Sequence, residues 1–290
     1  MHSALPLPLP PIFLSHGSPM TALEPGAAGA FMQRLGPAIT ATFGRPRAIL
    51  ALSAHTLARQ PVLRAAAQHA AVYDFGNFDR RLSTLRYDVA GAPALAAQVQ
   101  ALLAAAGLGA QVTPQGGLDH GIWTPLRYAW PDADIPVLPL AWVPSDSPAA
   151  QFALGRALAP LAREGVLVLG SGSITHNLRR VFAGGLQAEA EQPEIAESAD
   201  FRAWWLERSS ARDWPALLDY RQQAPHAVDM HPSDEHLLPW LIAAGTGGAA
   251  HAPLRLHDSV TYGSLGMDAY AFGPSATSLA DALAGATITA

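Results

Sequence analysis

The run Val166-Leu167-Val168-Leu169-Gly170-Ser171-Gly172-Ser173-Ile174-Thr175-His176 opens on four apolar residues and closes on a glycine and serine turn that leads to a histidine. A short apolar run bounded by turn residues reads as a strand buried on both faces. The same signature recurs at 12–14, 48–52, 62–64 and 135–140. Alanine-rich stretches of good helix formers lie between these runs, at 93–106 and 149–163, each followed by a glycine, Gly107 or Gly165. Alternating strand and helix predicts an α/β fold: a single domain with a mostly parallel central sheet flanked by helices on both faces. The whole chain, 1–290, reads as that one domain. Its proline-rich start, 1–10, is expected to be loosely ordered, and the polar, acidic stretch 187–200 to be an exposed connection ahead of a helix carrying Trp204, Trp205 and Leu206.

Composition removes several function classes. With 290 residues, half of them hydrophobic, the chain can bury a sizeable core. A net charge of −5 with only 14% charged residues offers no basic stripe, so no nucleic-acid partner is expected. There is no cysteine, which excludes disulfides, thiolate metal sites and cysteine nucleophiles; any metal must be held by His, Asp or Glu. No apolar run approaches the roughly 20 residues of a membrane span, and prolines interrupt the start where a signal helix would lie. The expectation is a cytoplasmic protein without a membrane partner.

Histidines mark the ends of the apolar runs. His16 ends Ile12-Phe13-Leu14-Ser15-His16, His55 ends Ile49-Leu50-Ala51-Leu52-Ser53-Ala54-His55, His120 sits in Gly117-Leu118-Asp119-His120-Gly121, and His176 follows the run quoted first. Loops leaving the carboxyl ends of strands converge on one crevice in an open α/β sheet, so histidines from separate strand ends can meet around one metal ion. The 170–173 segment lacks the spacing of a dinucleotide loop, the lysine of a P-loop and the central serine of a nucleophile elbow. It reads as a flexible turn that presents His176 as a ligand or general base. In His231-Pro232-Ser233-Asp234-Glu235-His236-Leu237-Leu238-Pro239, Pro232 or Pro239 opens a helix. A spacing of five puts His231 and His236 on different faces, so one of them, not both, is the candidate ligand. Asp234 and Glu235 read as acids at a solvated helix start. The tryptophans read as packing residues, except that Trp123 is close enough to His120 to share its pocket.

Taken together, Ser15-His16-Gly17-Ser18-Pro19-Met20, Ser53-Ala54-His55, Asp119-His120-Gly121-Ile122-Trp123-Thr124-Pro125-Leu126, Gly172-Ser173-x-x-His176-Asn177-Leu178-Arg179, the block ending at His236, and Tyr262-Gly263-Ser264-Leu265-Gly266-Met267 resemble, in order, the 4,5-DOPA extradiol dioxygenase-like proteins of the class III, LigB-type, ring-cleavage superfamily. The resemblance implies a LigB-like, phosphorylase/hydrolase-like α/β sandwich with one divalent metal per subunit, Fe(II) for turnover. It implies a catecholic, DOPA-like substrate and O2, with ring opening to a semialdehyde, and it is compatible with a homo-oligomer. His16, His55 and His236 match the metal ligands; family members carry His or Asn where His231 stands, which favours His236. Three histidines depart from the two-histidine, one-carboxylate set of the wider superfamily and leave Zn(II) as the alternative to Fe(II) for that one ion. His176 matches the catalytic base and is a candidate fourth ligand, and His120 matches a catalytic histidine that hydrogen-bonds substrate or oxygen. His231, Trp123 and Arg179 are the substrate-binding candidates, with Arg180 and Arg127 as further anchors for a carboxylate. Two other functions fit the same ligands: a zinc-dependent hydrolase, and a non-catalytic metal-binding protein.

Overall fold

Side chains alternate across a strand, so a strand whose residues are all apolar must be covered on both faces. Ile49, Leu50, Ala51 and Leu52 are each 0% exposed. Ile49 and Ala51 face one core, Leu50 and Leu52 the other. The computed structural model describes residues 7–76, 78–182 and 190–288. They form a single α/β domain around an eight-stranded sheet. Its strands are β1 (Ile12–Ser15), β2 (Ala48–Ser53), β3 (Val62–Arg64), β4 (Gln111–Thr113), β5 (Val137–Ala141), β6 (Val166–Gly172), β7 (Leu254–His257) and β8 (Ala269–Ala271). They lie in the order β4-β3-β5-β2-β6-β1-β8-β7. The four central strands β5, β2, β6 and β1 are mutually parallel, and the direction reverses at β3 on one side and β8 on the other.

Helices α1 (Gly26–Phe43), α3 (His120–Ala129) and α7 (Ala276–Ile288) cover one face; α2 (Pro93–Ala105), α4 (Pro148–Leu158), α5 (Ala196–Ala211) and α6 (Leu238–Gly247) cover the other. None of the helices among the described residues is long and apolar enough to cross a membrane.

Four expectations change in detail. The helix expected over 149–163 stops at Leu158 and continues as a 3₁₀ helix from Ala159 to Glu164, because Pro160 has no N–H to extend the α-helical ladder. The connection expected over 187–200 gives way to α5 at Ala196. Its first turns carry no apolar period because Ser198 and Arg202, both buried, face Glu194, which accepts hydrogen bonds from both. Residues 187–189 lie outside the described residues. Of the start, 1–6 likewise lie outside, while Leu9 is buried and donates its N–H to Ala162 O at 3.0 Å.

The fourth change concerns the glycine and serine run. It is strand rather than flexible turn: β6 extends to Gly172, buried throughout. A Cβ on Gly172 would lie 1.9 Å from the carbonyl oxygen of His236, and the N–H of Ser173 donates to that same oxygen at 2.9 Å. The glycine is there to let the backbone carrying His236 lie against the strand. Gly172→Ala is therefore expected to cost about 1–3 kcal/mol by overpacking, read as a lower thermal unfolding midpoint.

Candidate metal centre

Register decides where the histidines meet. Ser15 pairs with Gly172 across β1 and β6, and Ser53 pairs with Ser171 across β2 and β6, so three neighbouring parallel strands end at one level. His16 is the first residue beyond β1, His55 the second beyond β2 and His176 the fourth beyond β6. His120 opens α3, whose preceding residue Asp119 accepts hydrogen bonds from Ser53 Oγ at 2.6 Å and from Thr56 Oγ1. That pairing fixes the start of α3 to the end of β2. His236 stands just ahead of α6, with Pro239 in the first turn of that helix.

One nitrogen from each of His16, His55 and His236 lies within 4.8 Å of the others. His16 Nε2 is 3.2 Å from His55 Nε2. Nitrogens about 2 Å from one ion are separated by roughly 3–4 Å, so the trio fits a single divalent metal. The protons are placed accordingly. Ser171 Oγ donates to Gly121 O and so accepts from His16 Nδ1–H at 2.9 Å; His236 Nδ1–H donates to Glu235 Oε1 at 3.1 Å. Both hydrogen bonds leave the ε nitrogens with free lone pairs, the arrangement metal-ligating histidines use. Asp74 completes the cluster: it accepts from the backbone N–H of His120 at 3.0 Å and from His120 Nδ1–H at 3.0 and 3.1 Å, and its Oδ2 is 3.8 Å from His55 Nδ1.

Desolvation favours the neutral form of His16, His55, His176 and His236. Desolvation, reinforced by the neighbouring histidines, holds His16 and His236 well below the ordinary value of 6.5. His55 is lowered by burial and then by His120, against the pull of Asp119, Asp74 and Glu235. Burial also pushes His176 down to about 3. For Asp74 burial acts upward, but the hydrogen bonds from His120 outweigh it and hold the carboxyl below its usual range.

The His176 ring lies flat on that of His236, with centroids 3.4 Å apart and planes 7° from parallel. A cavity of about 570 Å³ opens over the cluster, reaching His55, Asp74, His120, His176, Glu235 and His236. Sequence reasoning missed Asp74 altogether and took Glu235 for a solvated acid. Only the adjacency of Glu235 to His236 could have signalled it, and Asp74 sits in an irregular stretch with no pattern at all.

The substrate-binding candidates do not reach the cavity. His231 is 0% exposed and donates Nε2–H to Ile174 O at 2.7 Å, packed beside Phe201; its imidazole is part of the core that carries His176. Trp123 is also 0% exposed and donates to Val72 O, so it backs the wall from behind Phe75. Arg179 is exposed and outside the lining. Arg180 is paired with Asp229 and Glu197, and Arg127 reaches Ala22 O.

Comparison with known proteins agrees with this geometry. The family model for the catalytic LigB subunit of aromatic ring-opening dioxygenase matches residues 10–273. A 4,5-DOPA dioxygenase extradiol of Beta vulgaris is 34% identical over 264 residues, covering 90% of this chain and 95% of that protein. One from Escherichia coli K12 is 33% identical over 260 residues, covering 89% and 93%. The crystal structure of an uncharacterised Escherichia coli K12 protein superposes with a TM-score of 0.73 at 29% identity, covering 91% of this chain and all of that one.

The neutral cluster has a pH consequence. Histidines lowered in the folded state take up protons on unfolding, so their contribution to stability is complete above pH 6.5. It is lost as pH falls from there towards the folded values, about 4 for His231 and about 3 for His176. The unfolding midpoint of metal-free protein is expected to fall steadily from pH 7 to pH 5; a midpoint flat across that window would contradict the assignment.

Proposed function

Because the chain belongs to the LigB family of aromatic ring-opening enzymes and is an extradiol ring-cleavage dioxygenase, we propose that its substrate is a catechol, opened by O2 to a semialdehyde that keeps both oxygen atoms. His16, His55 and His236 hold one divalent ion in this reading, and the convergence of their free nitrogens beneath the cavity carries it. When bound, that ion supplies Lewis acidity to the catechol oxygens and, as Fe(II), the redox capacity that O2 insertion needs.

The rest of the chemistry belongs to the protein. His176, neutral at the cavity wall, accepts the second phenolic proton. Burial makes it a weak base, suited to a phenol that a bound divalent ion would acidify. Its stacking on His236 supports the role of base over that of fourth ligand, since one ion cannot lie in the planes of two parallel, stacked rings at once. His120, oriented by donating Nδ1–H to Asp74, leaves its other nitrogen at the cavity to accept a hydrogen bond from the substrate. Asp74 and Glu235, bonded to His120 and His236, place negative charge around a ligand set that carries none.

O2 uptake by protein reconstituted anaerobically with Fe(II) or Zn(II) separates this reading from a zinc hydrolase or a metal-binding protein. Uptake with Fe(II) and a catechol, accompanied by a new visible absorbance, is expected, with His176→Ala reducing it about 10²–10⁴-fold while retaining the ion. Silence with Fe(II) at full metal occupancy would contradict it.

A further inference from the structure

We propose that the cavity selects catechols whose ring substituent is uncharged and apolar, and discriminates against those carrying a carboxylate; this rests on the ring-cleavage reading of the same site. The charged side chains among the described lining residues are Asp74 and Glu235, both acidic and both engaged with histidines at the metal end. The wall beyond them is apolar: Leu57, Phe75, Phe78, Leu178, Phe182 and Leu265. Phe78 packs edgewise on Phe75 and against Phe182, with centroids 6.3 and 6.2 Å apart. At the mouth this surface meets water, with Leu57 39%, Phe78 40% and Leu178 46% exposed, area that an apolar arm would cover.

None of the described residues that line the cavity is a lysine or an arginine. The chain has no lysine, and residues 77 and 183–189 contain no arginine. Arg179 lies outside the lining, and Arg180 is taken up by Asp229 and Glu197. Arg80 lines a separate hollow that shares Phe75 and Phe78 with this cavity and also holds Asp79. The backbone N–H groups of Arg179 and Arg180, just past Leu178, are taken by Asn177 Oδ1. A carboxylate drawn into this cavity would shed its water with no cation in the described lining to meet it and only the neutral hydroxyl of Ser18 beside the histidines, which is the costly case of charge burial.

The test uses metal-loaded protein under argon and three catechols whose 4-substituents have five heavy atoms each: 4-pentylcatechol, 3-(3,4-dihydroxyphenyl)propanoate and 4-(4-aminobutyl)catechol. Dissociation constants from calorimetric titration are expected to be at least ten-fold tighter for the pentyl compound than for either charged one. Leu178→Arg, at the exposed rim, is expected to close most of the gap to the propanoate. Equal binding, preference for a charged arm, or a ratio unmoved by Leu178→Arg would overturn the proposal. Ring cleavage is judged separately by O2 uptake, so its failure is not confused with a failure of selectivity.

Discussion

Three adjacent parallel strands that end at the same level are the constraint on which the site depends. Because Ser15 pairs with Gly172 and Ser53 with Ser171, the chain leaves β1, β2 and β6 into one crevice, and a one-residue slip in either pairing would turn the following side chains to the other face. The burial of apolar side chains on both faces holds that register. The small residues of β6 then serve the site directly: Gly172 admits the His236 backbone, and Ser171 sets the proton on His16.

Local pattern carried the fold and half of the cluster. Apolar runs with turn residues at their ends are properties of neighbouring residues, and His16, His55 and His176 were legible because strand ends are where a parallel sheet puts its chemistry. His231 and His236 were not separable by spacing; burial separates them, one hydrogen-bonded to Ile174 O in the core and the other at the cavity. Asp74 was invisible because its meaning comes from His120, 46 positions away. Trp123 stands near His120 in sequence, yet its ring turns into the core, which adjacency along a helix cannot reveal.

Electrostatics and shape work in the same direction. Desolvation is the largest influence on each of the imidazoles His16, His55, His176, His231 and His236, and it favours the neutral form, which keeps a ring-nitrogen lone pair free. The two carboxylates at the cavity are each held by a histidine, so they place charge beside the proposed metal site without filling the space above it. That space is left largely to apolar side chains, and none of the described residues lining it is an arginine.

The most direct test of the centre is metal content after equilibrium dialysis against Fe(II) or Zn(II), comparing the unaltered chain with His16→Ala, His55→Ala, His236→Ala and His231→Asn. One ion per chain is expected in the unaltered protein and in His231→Asn, with little or none in the three alanine variants. Full occupancy in any of those three, or its loss in a folded His231→Asn, would contradict the assignment of His16, His55 and His236 as the ligands.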